Sequence, residues 1–185
     1  MSIGLVDSVT FTARADLSHS YIKEAERRMN EATGAYSLAC AKVKKKEPAH
    51  NEIAQERHAS TFSIMFSVFA LEAYINMKGH DLLEKDLWEE YKRKLNIKEK
   101  WHFFPLLIKG KTFDINSQLF KDFDKIIEWR NYLVHYKDYT SKPLVPHPSG
   151  GGQVPGICEI TNEKNARFAY ETATQMIQEL DKLLK

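Results

Sequence analysis

The chain is poor in the residues that build covalent or metal frameworks. Its 185 residues include two cysteines, Cys40 and Cys158, far apart and in no ligand spacing. Neither a disulfide scaffold nor a zinc site is therefore expected, and a reducing compartment suits both thiols. Charge of one sign is also lacking. The formal net charge is only +2, which excludes nucleic-acid binding by bulk electrostatics and leaves a local patch as the only route. Residues 1–15 have no basic segment leading into an apolar one, so no secretory signal is read there. Long apolar runs are missing too. The best of them, Phe62 to Met77, is shorter than a bilayer span and contains Glu72 and Asn76. It reads as a buried helix without membrane contact. A cytoplasmic location is the expectation.

With 43% apolar and 28% charged residues, the chain has the balance of one ordinary globular domain over residues 1–185. Residues 1–15 alternate weakly and read as an N-terminal arm. From Asp16 to Lys46 there is no proline, and Leu17, Tyr21, Ala25, Met29, Ala32, Tyr36 and Ala39 recur at helical spacing. Gly34 weakens the middle of that helix slightly, and Lys42, Lys44, Lys45 and Lys46 suit the dipole at its end. Pro48 opens a second helix running to Met77 and stopping before Gly79. In it Ser60, Ser63, Ser67 and Lys78 mark the less buried side, and Met65, Val68, Phe69, Glu72 and Ile75 the opposite one. Two short helices are expected near Asp86 to Leu95 and Lys98 to Ile108. The second is interrupted by Pro105 and stopped at Gly110. Trp88, Trp101, Phe103, Phe104, Leu106 and Leu107 read as a cap over the end of a bundle. Asn116 or Ser117 caps a third long helix reaching Lys137. Residues 138–160 hold four of the six prolines and form a loop. Asn162 to Leu184 is the last helix. The expected fold is all-α: an up-and-down bundle of four long helices, with short helices inserted between the second and third.

One residue is out of place in this pattern. On the third long helix Phe120, Phe123, Ile126, Ile127, Leu133 and Val134 share an apolar face, and Arg130 lies near its middle. A permanent cation there needs a carboxylate, a phosphate or a wet cleft. Glu72 is the natural carboxylate. Asn131 and His135 are four apart, one above the other, on a neighbouring face with Asp124 and Glu128.

The stretch Arg130-Asn131-Tyr132-Leu133-Val134-His135 resembles the motif of the HEPN family, a nucleotide-binding domain of higher eukaryotes and prokaryotes. Ala70-Leu71-Glu72-Ala73-Tyr74-Ile75-Asn76 is similar to the acidic signature on the second helix of that family. Lys98 to Trp101, Pro105 to Leu107 and Gly110 to Asp114 resemble an insert of its prokaryotic members. The resemblance covers roughly residues 50–140. It implies a metal-independent endoribonuclease without cofactor, working as a homodimer whose two motifs face each other, in a toxin or phage-defence setting. RNA would be the substrate, and an antitoxin or a nucleotidyltransferase the partner. The resemblance also implies roles that fit the chemistry. His135 would move protons near neutral pH. Arg130 would grip phosphate and the transition-state charge. Asn131 would orient His135 or bind substrate, and Glu72 would hold Arg130. The products would be a 2′,3′-cyclic phosphate and a 5′-hydroxyl. In the toxin subset paired with a nucleotidyltransferase, a tyrosine stands two positions after the histidine. Here that position is Lys137, with Tyr136 before it, which argues against nucleotide transfer onto such a tyrosine.

Blander readings stand beside these. Arg130 and Glu72 could be an ion pair that only fixes helix register, and His135 a solvated surface residue. Trp129, Tyr132 and Tyr136 read as core or dimer contacts, and the remaining histidines have no ligand spacing. Three functions are left open: a dimeric ribonuclease, a binding module of the same fold without cleavage, and a structural helical bundle.

Overall fold

Small residues decide how the longest helices meet. In the computed structural model, which describes residues 3–134, 145–146, 152–153 and 157–185 and the side chains of 17–134 and 159–185, α1 (Ile3–Lys44) lies along α2 (His50–Leu82). On α1 the seam is built from Ala25, Met29, Ala32, Ala35 and Ala39, all buried. On α2 it is built from Ala59, Ser60, Ser63, Ser67 and Ala70, each with no exposed surface. Ser63 fastens three helices at once, donating to the carbonyls of Ala25 at 2.9 Å and Ala166 at 3.4 Å. The serine side of the second helix is thus buried, against the expectation, while of the side expected inward Val68 and Ile75 are buried and Met65, Phe69 and Glu72 are half-buried. A hydroxyl that bonds a neighbouring carbonyl permits a closer helix approach than a large apolar group. The narrow seam also turns Leu17 and Tyr36, read as part of the same stripe, largely outward.

The remaining elements are α3 (Lys85–Lys94), α4 (Ile97–Lys109), α5 (Gln118–Val134), a two-residue antiparallel pairing of β1 (Val145–Pro146) with β2 (Gly152–Gln153), α6 (Ile157–Ile160) and α7 (Glu163–Leu183). The architecture is all-α. Four long helices, α1, α2, α5 and α7, form the bundle, and α3 and α4 are inserted between its second and third members. Residues 3–15 continue α1 and do not form a separate arm, since no proline interrupts them. Most of the expected loop 138–160 lies outside the described residues.

Local signals account for the ends of these elements. Asn96 and Glu99 form a reciprocal capping box at the start of α4, with the Asn96 Oδ1 accepting from Glu99 N–H at 3.0 Å and Asn96 N–H donating to Glu99 at 2.7 Å. Gly110 stops α4 in the left-handed conformation, with φ of 67°. Pro105 lies inside α4 without ending it. The Ser117 hydroxyl caps α5 through Phe120 N–H, and Asn162 caps α7 through Asn165 N–H. Gly79 does not stop α2. It lies within the helix because a Cβ there would fall 2.5 Å from Phe104 and 2.9 Å from Trp88.

The core gathers Ile64, Leu71 and Ile75 of α2, Trp101 and Phe104 of α4, Phe123 and Ile126 of α5, and Met176 and Leu180 of α7. The expected aromatic cap is split. Trp88, Trp101 and Phe104 are buried, whereas Phe103, Leu106 and Leu107 point outward at 42%, 41% and 48% exposure. By length and composition α2 alone among the described helices could cross a membrane, and half of its most apolar window is buried inside the bundle.

Candidate anion-binding cleft between α2, α4 and α5

The buried face of α5 runs through Phe120, Phe123, Ile126 and Ile127 and then peels away from the core. Leu133 is half-buried and Val134 is exposed. Arg130 comes at the point of departure, so its side chain lies at the edge of the core rather than in it. There it lines a cleft of about 410 Å³ with Val68 and Glu72 of α2, Asn96, Ile97 and Lys98 at the start of α4, and Ile127 and Asn131 of α5.

The guanidinium is held by a ring and an amide. Its Cζ lies 5.7 Å from the centroid of Phe69, a cation–π arrangement, and Nη1 donates to Asn131 Oδ1 at 3.1 Å. Its Nε is buried with no hydrogen-bond partner. The expected ion pair with Glu72 is absent among the described residues, no charged atoms of the two approaching within 4.0 Å. Glu72 shares the cleft without gripping the arginine. The purely structural reading rested on that pair and loses its main support. A charged donor that is desolvated but unpaired is unfavourable by about 1–3 kcal/mol, and an anion in the cleft would relieve this.

A second cation, Lys98, reaches the same place from α4. Its ammonium lies 3.1 Å from Asp124 and 4.0 Å from Glu128 of α5, which ties the start of α4 to the helix bearing Arg130. Sequence reasoning did not single out Lys98. The helix was expected to begin near Lys98, and only packing places that start across from Arg130.

A third cation was also missed. Lys100 is 6% exposed, and its ammonium donates at 2.8 Å both to Asn76 Oδ1 and to the carbonyl of Lys92 in the last turn of α3. Burial pushes its pKa below the ordinary lysine range, and the charge of Glu72 pulls it partly back. No sequence signal separates Lys100 from its solvated neighbours.

The cleft therefore brings together Arg130, Asn131 and Glu72 of the residues singled out from sequence. His135, Tyr136 and Lys137 lie outside the described residues. Among the described residues no group of three or more His, Cys, Asp or Glu side chains converges to hold a metal.

Phe69 also ends a row on the outer face of α2. The row includes Phe62, Met65 and Phe66, all half-buried, with neighbouring phenyl centroids 6.1 Å apart. Tyr21 of α1 packs beside Phe66 and Phe69. Both faces of α2 are thus apolar, although only one meets the core.

No family model, curated protein or solved structure matches this chain.

Proposed function

We propose that this protein is a metal-independent endoribonuclease of HEPN type, acting as a homodimer in a toxin or phage-defence setting. The observation that carries the reading is Arg130, a cation held at a cleft by Phe69 and Asn131, with an unpaired Nε and no carboxylate in its grip. A guanidinium in that state suits phosphate, which accepts two parallel hydrogen bonds. Lys98, on the opposite wall, brings a second cation to the cleft, ion-paired with Asp124. In this scheme Arg130 stabilises the charge that builds on phosphorus as the 2′-hydroxyl attacks. His135 of each subunit supplies proton transfer, one as base and the other as acid to the departing 5′-oxygen. Asn131 orients substrate or His135. The half-buried Phe62, Met65, Phe66 and Phe69 on the outer face of α2 favour a second copy as the group that covers them, since long apolar faces on soluble chains mark contact surfaces.

The test is cleavage of mixed RNA by the purified full chain with a chelator present. Wild type should cut and leave cyclic phosphate ends. Arg130→Ala and His135→Ala should each slow cleavage by roughly a hundredfold or more. Sedimentation should report a dimer that Phe66→Glu splits. Cleavage that survives His135→Ala, or that the chelator abolishes, refutes the mechanism. Inert but RNA-binding dimers would instead identify a binding module.

A further inference from the structure

Hydrogen-bond donors continue past the Arg130 cleft along the same helix. On α2, Phe69, Glu72, Ala73 and Asn76 follow the helical repeat and share one face. Phe69 meets the guanidinium of Arg130, and Glu72 lines its cleft. Ala73 and Asn76 line a second cavity, also of about 410 Å³, together with Leu17 of α1 and Trp88, Lys92 and Arg93 of α3. From Phe69 to Asn76 the helix rises about 10 Å. The corner between α3 and α4 borders both spaces, Lys92 and Arg93 at one and Asn96, Ile97 and Lys98 at the other.

The second cavity is built for an acceptor. Among the described residues its polar side chains are Asn76, Trp88, Lys92 and Arg93, with no carboxylate. Indole, ammonium and guanidinium groups can only donate. An asparagine can turn either end of its amide to a neighbour, but here Lys100 decides. Its buried ammonium donates to Asn76 Oδ1 at 2.8 Å, and a lysine offers no acceptor to a flipped amide. The Asn76 NH2 group is therefore left for the cavity that Asn76 lines, and among the described residues nothing accepts from it. The same ammonium donates at 2.8 Å to the Lys92 carbonyl, covering an acceptor at the negative end of α3. Lys92 is itself paired with Glu89. Arg93 is exposed, and among the described residues no carboxylate lies within 4.0 Å of it. A space lined by donors, with one uncommitted guanidinium, suits an anion with several acceptor oxygens.

We propose that this cavity is a second phosphate subsite, in which Arg93 and the Asn76 amide hold a neighbouring phosphate of the strand bound at Arg130. The proposal rests on the reading of Arg130 as a phosphate-binding group, and it gives the bound strand a direction. The strand follows one face of α2 from Phe69 to Asn76, past the corner between α3 and α4. Glu72 falls between the two positions, where its charge disfavours a further phosphate.

The experiment follows binding of a short fluorescent oligodeoxythymidylate, which has no 2′-hydroxyl to attack, to the full chain. Arg93→Gln should weaken binding roughly threefold to tenfold. It should also flatten the slope of log affinity against log salt by about 0.7, the share of one single-strand phosphate. Lys85→Gln removes the same charge from the exposed first turn of α3 and should bind like wild type. Asn76→Asp keeps an acceptor for Lys100 but withdraws the donor from the cavity, so it should lose affinity without lowering Tm. Wild-type affinity in Arg93→Gln, or an equal loss in Lys85→Gln, overturns the proposal. Arg130→Gln checks the underlying reading separately: wild-type affinity there defeats the Arg130 assignment, whereas wild-type affinity in Arg93→Gln defeats only the second subsite. Inorganic phosphate as competitor separates the sources of the anion. Phosphate binding that Arg93→Gln abolishes, with oligonucleotide affinity unchanged, would mark a site for the free ion and overturn the strand path.

Discussion

Two helical glycines in this protein should respond to alanine with opposite signs. In a helix interior, replacing glycine by alanine is ordinarily favourable by about 1 kcal/mol, because alanine loses less backbone freedom on folding. Gly34 lies in α1 with nothing within 4 Å of the position a Cβ would take, so Gly34→Ala should show that gain. For a chain of this size the gain raises Tm by about 2–4 °C. At Gly79 the same Cβ would sit 2.5 and 2.8 Å from two atoms of the Phe104 ring and 2.9 Å from Trp88. Favourable carbon contacts lie near 3.5–4.0 Å. Phe104 has no exposed surface and Trp88 very little, so neither ring has solvent to move into. Overpacking of this kind is unfavourable by roughly 1–3 kcal/mol, and two rings on two helices place Gly79→Ala at the upper end. Set against the gain of about 1 kcal/mol in helix propensity, the net loss is about 2 kcal/mol, a fall in Tm of about 4–8 °C. Thermal melts followed by circular dichroism on both variants, with urea titrations to compare slopes, measure the difference. A Gly79→Ala protein that melts at or above wild type refutes the account of why α2 passes α3 and α4 so closely.

Other consequences follow from the same structure. The Tyr74 hydroxyl donates to Asp181 at 2.6 Å and Lys78 lies 3.0 Å from that carboxylate. Burial pushes the Asp181 pKa up, but these two partners outweigh it and hold the carboxyl below its ordinary value. A depressed carboxyl stabilises the fold above its unfolded pKa, and this contribution is lost as pH falls through the folded one. Tyr74→Phe should therefore lose about 1 kcal/mol at neutral pH, given the partial exposure of Asp181, and the gap to wild type should close in acid. A gap that stays constant down to pH 2 or so contradicts the assignment. On α4, Leu106→Gln and Leu107→Gln should each shift unfolding free energy by less than about 0.5 kcal/mol, whereas Phe104→Ala should lose about 3–5 kcal/mol. Equal losses at all three positions in urea melts would place the outward-facing leucines in the core after all.

Residue order alone was enough for the four long helices and the inserted pair, because apolar periodicity, capping residues and Gly110 are local properties of a chain. It was also enough to pick out Arg130, since a cation on an apolar stripe is anomalous wherever the helix is placed. Partnerships were a different matter. Which side of α2 is buried could not be read from its two apolar faces. Packing against Ala25 and Ala166 chose the serine side and left the phenylalanine row half-exposed. The stop expected at Gly79 failed because only Phe104 and Trp88, brought in from other helices, explain a glycine there. Glu72 was matched to Arg130 on sign and helix face, yet distance decides ion pairs, and the packing of α2 against α5 keeps the two charged groups more than 4.0 Å apart. Local chain chemistry determined the elements and the odd charge among them. The tertiary arrangement alone settled which neighbours each charge meets, because Coulomb attraction and steric contact depend on separations in space that residue order does not contain.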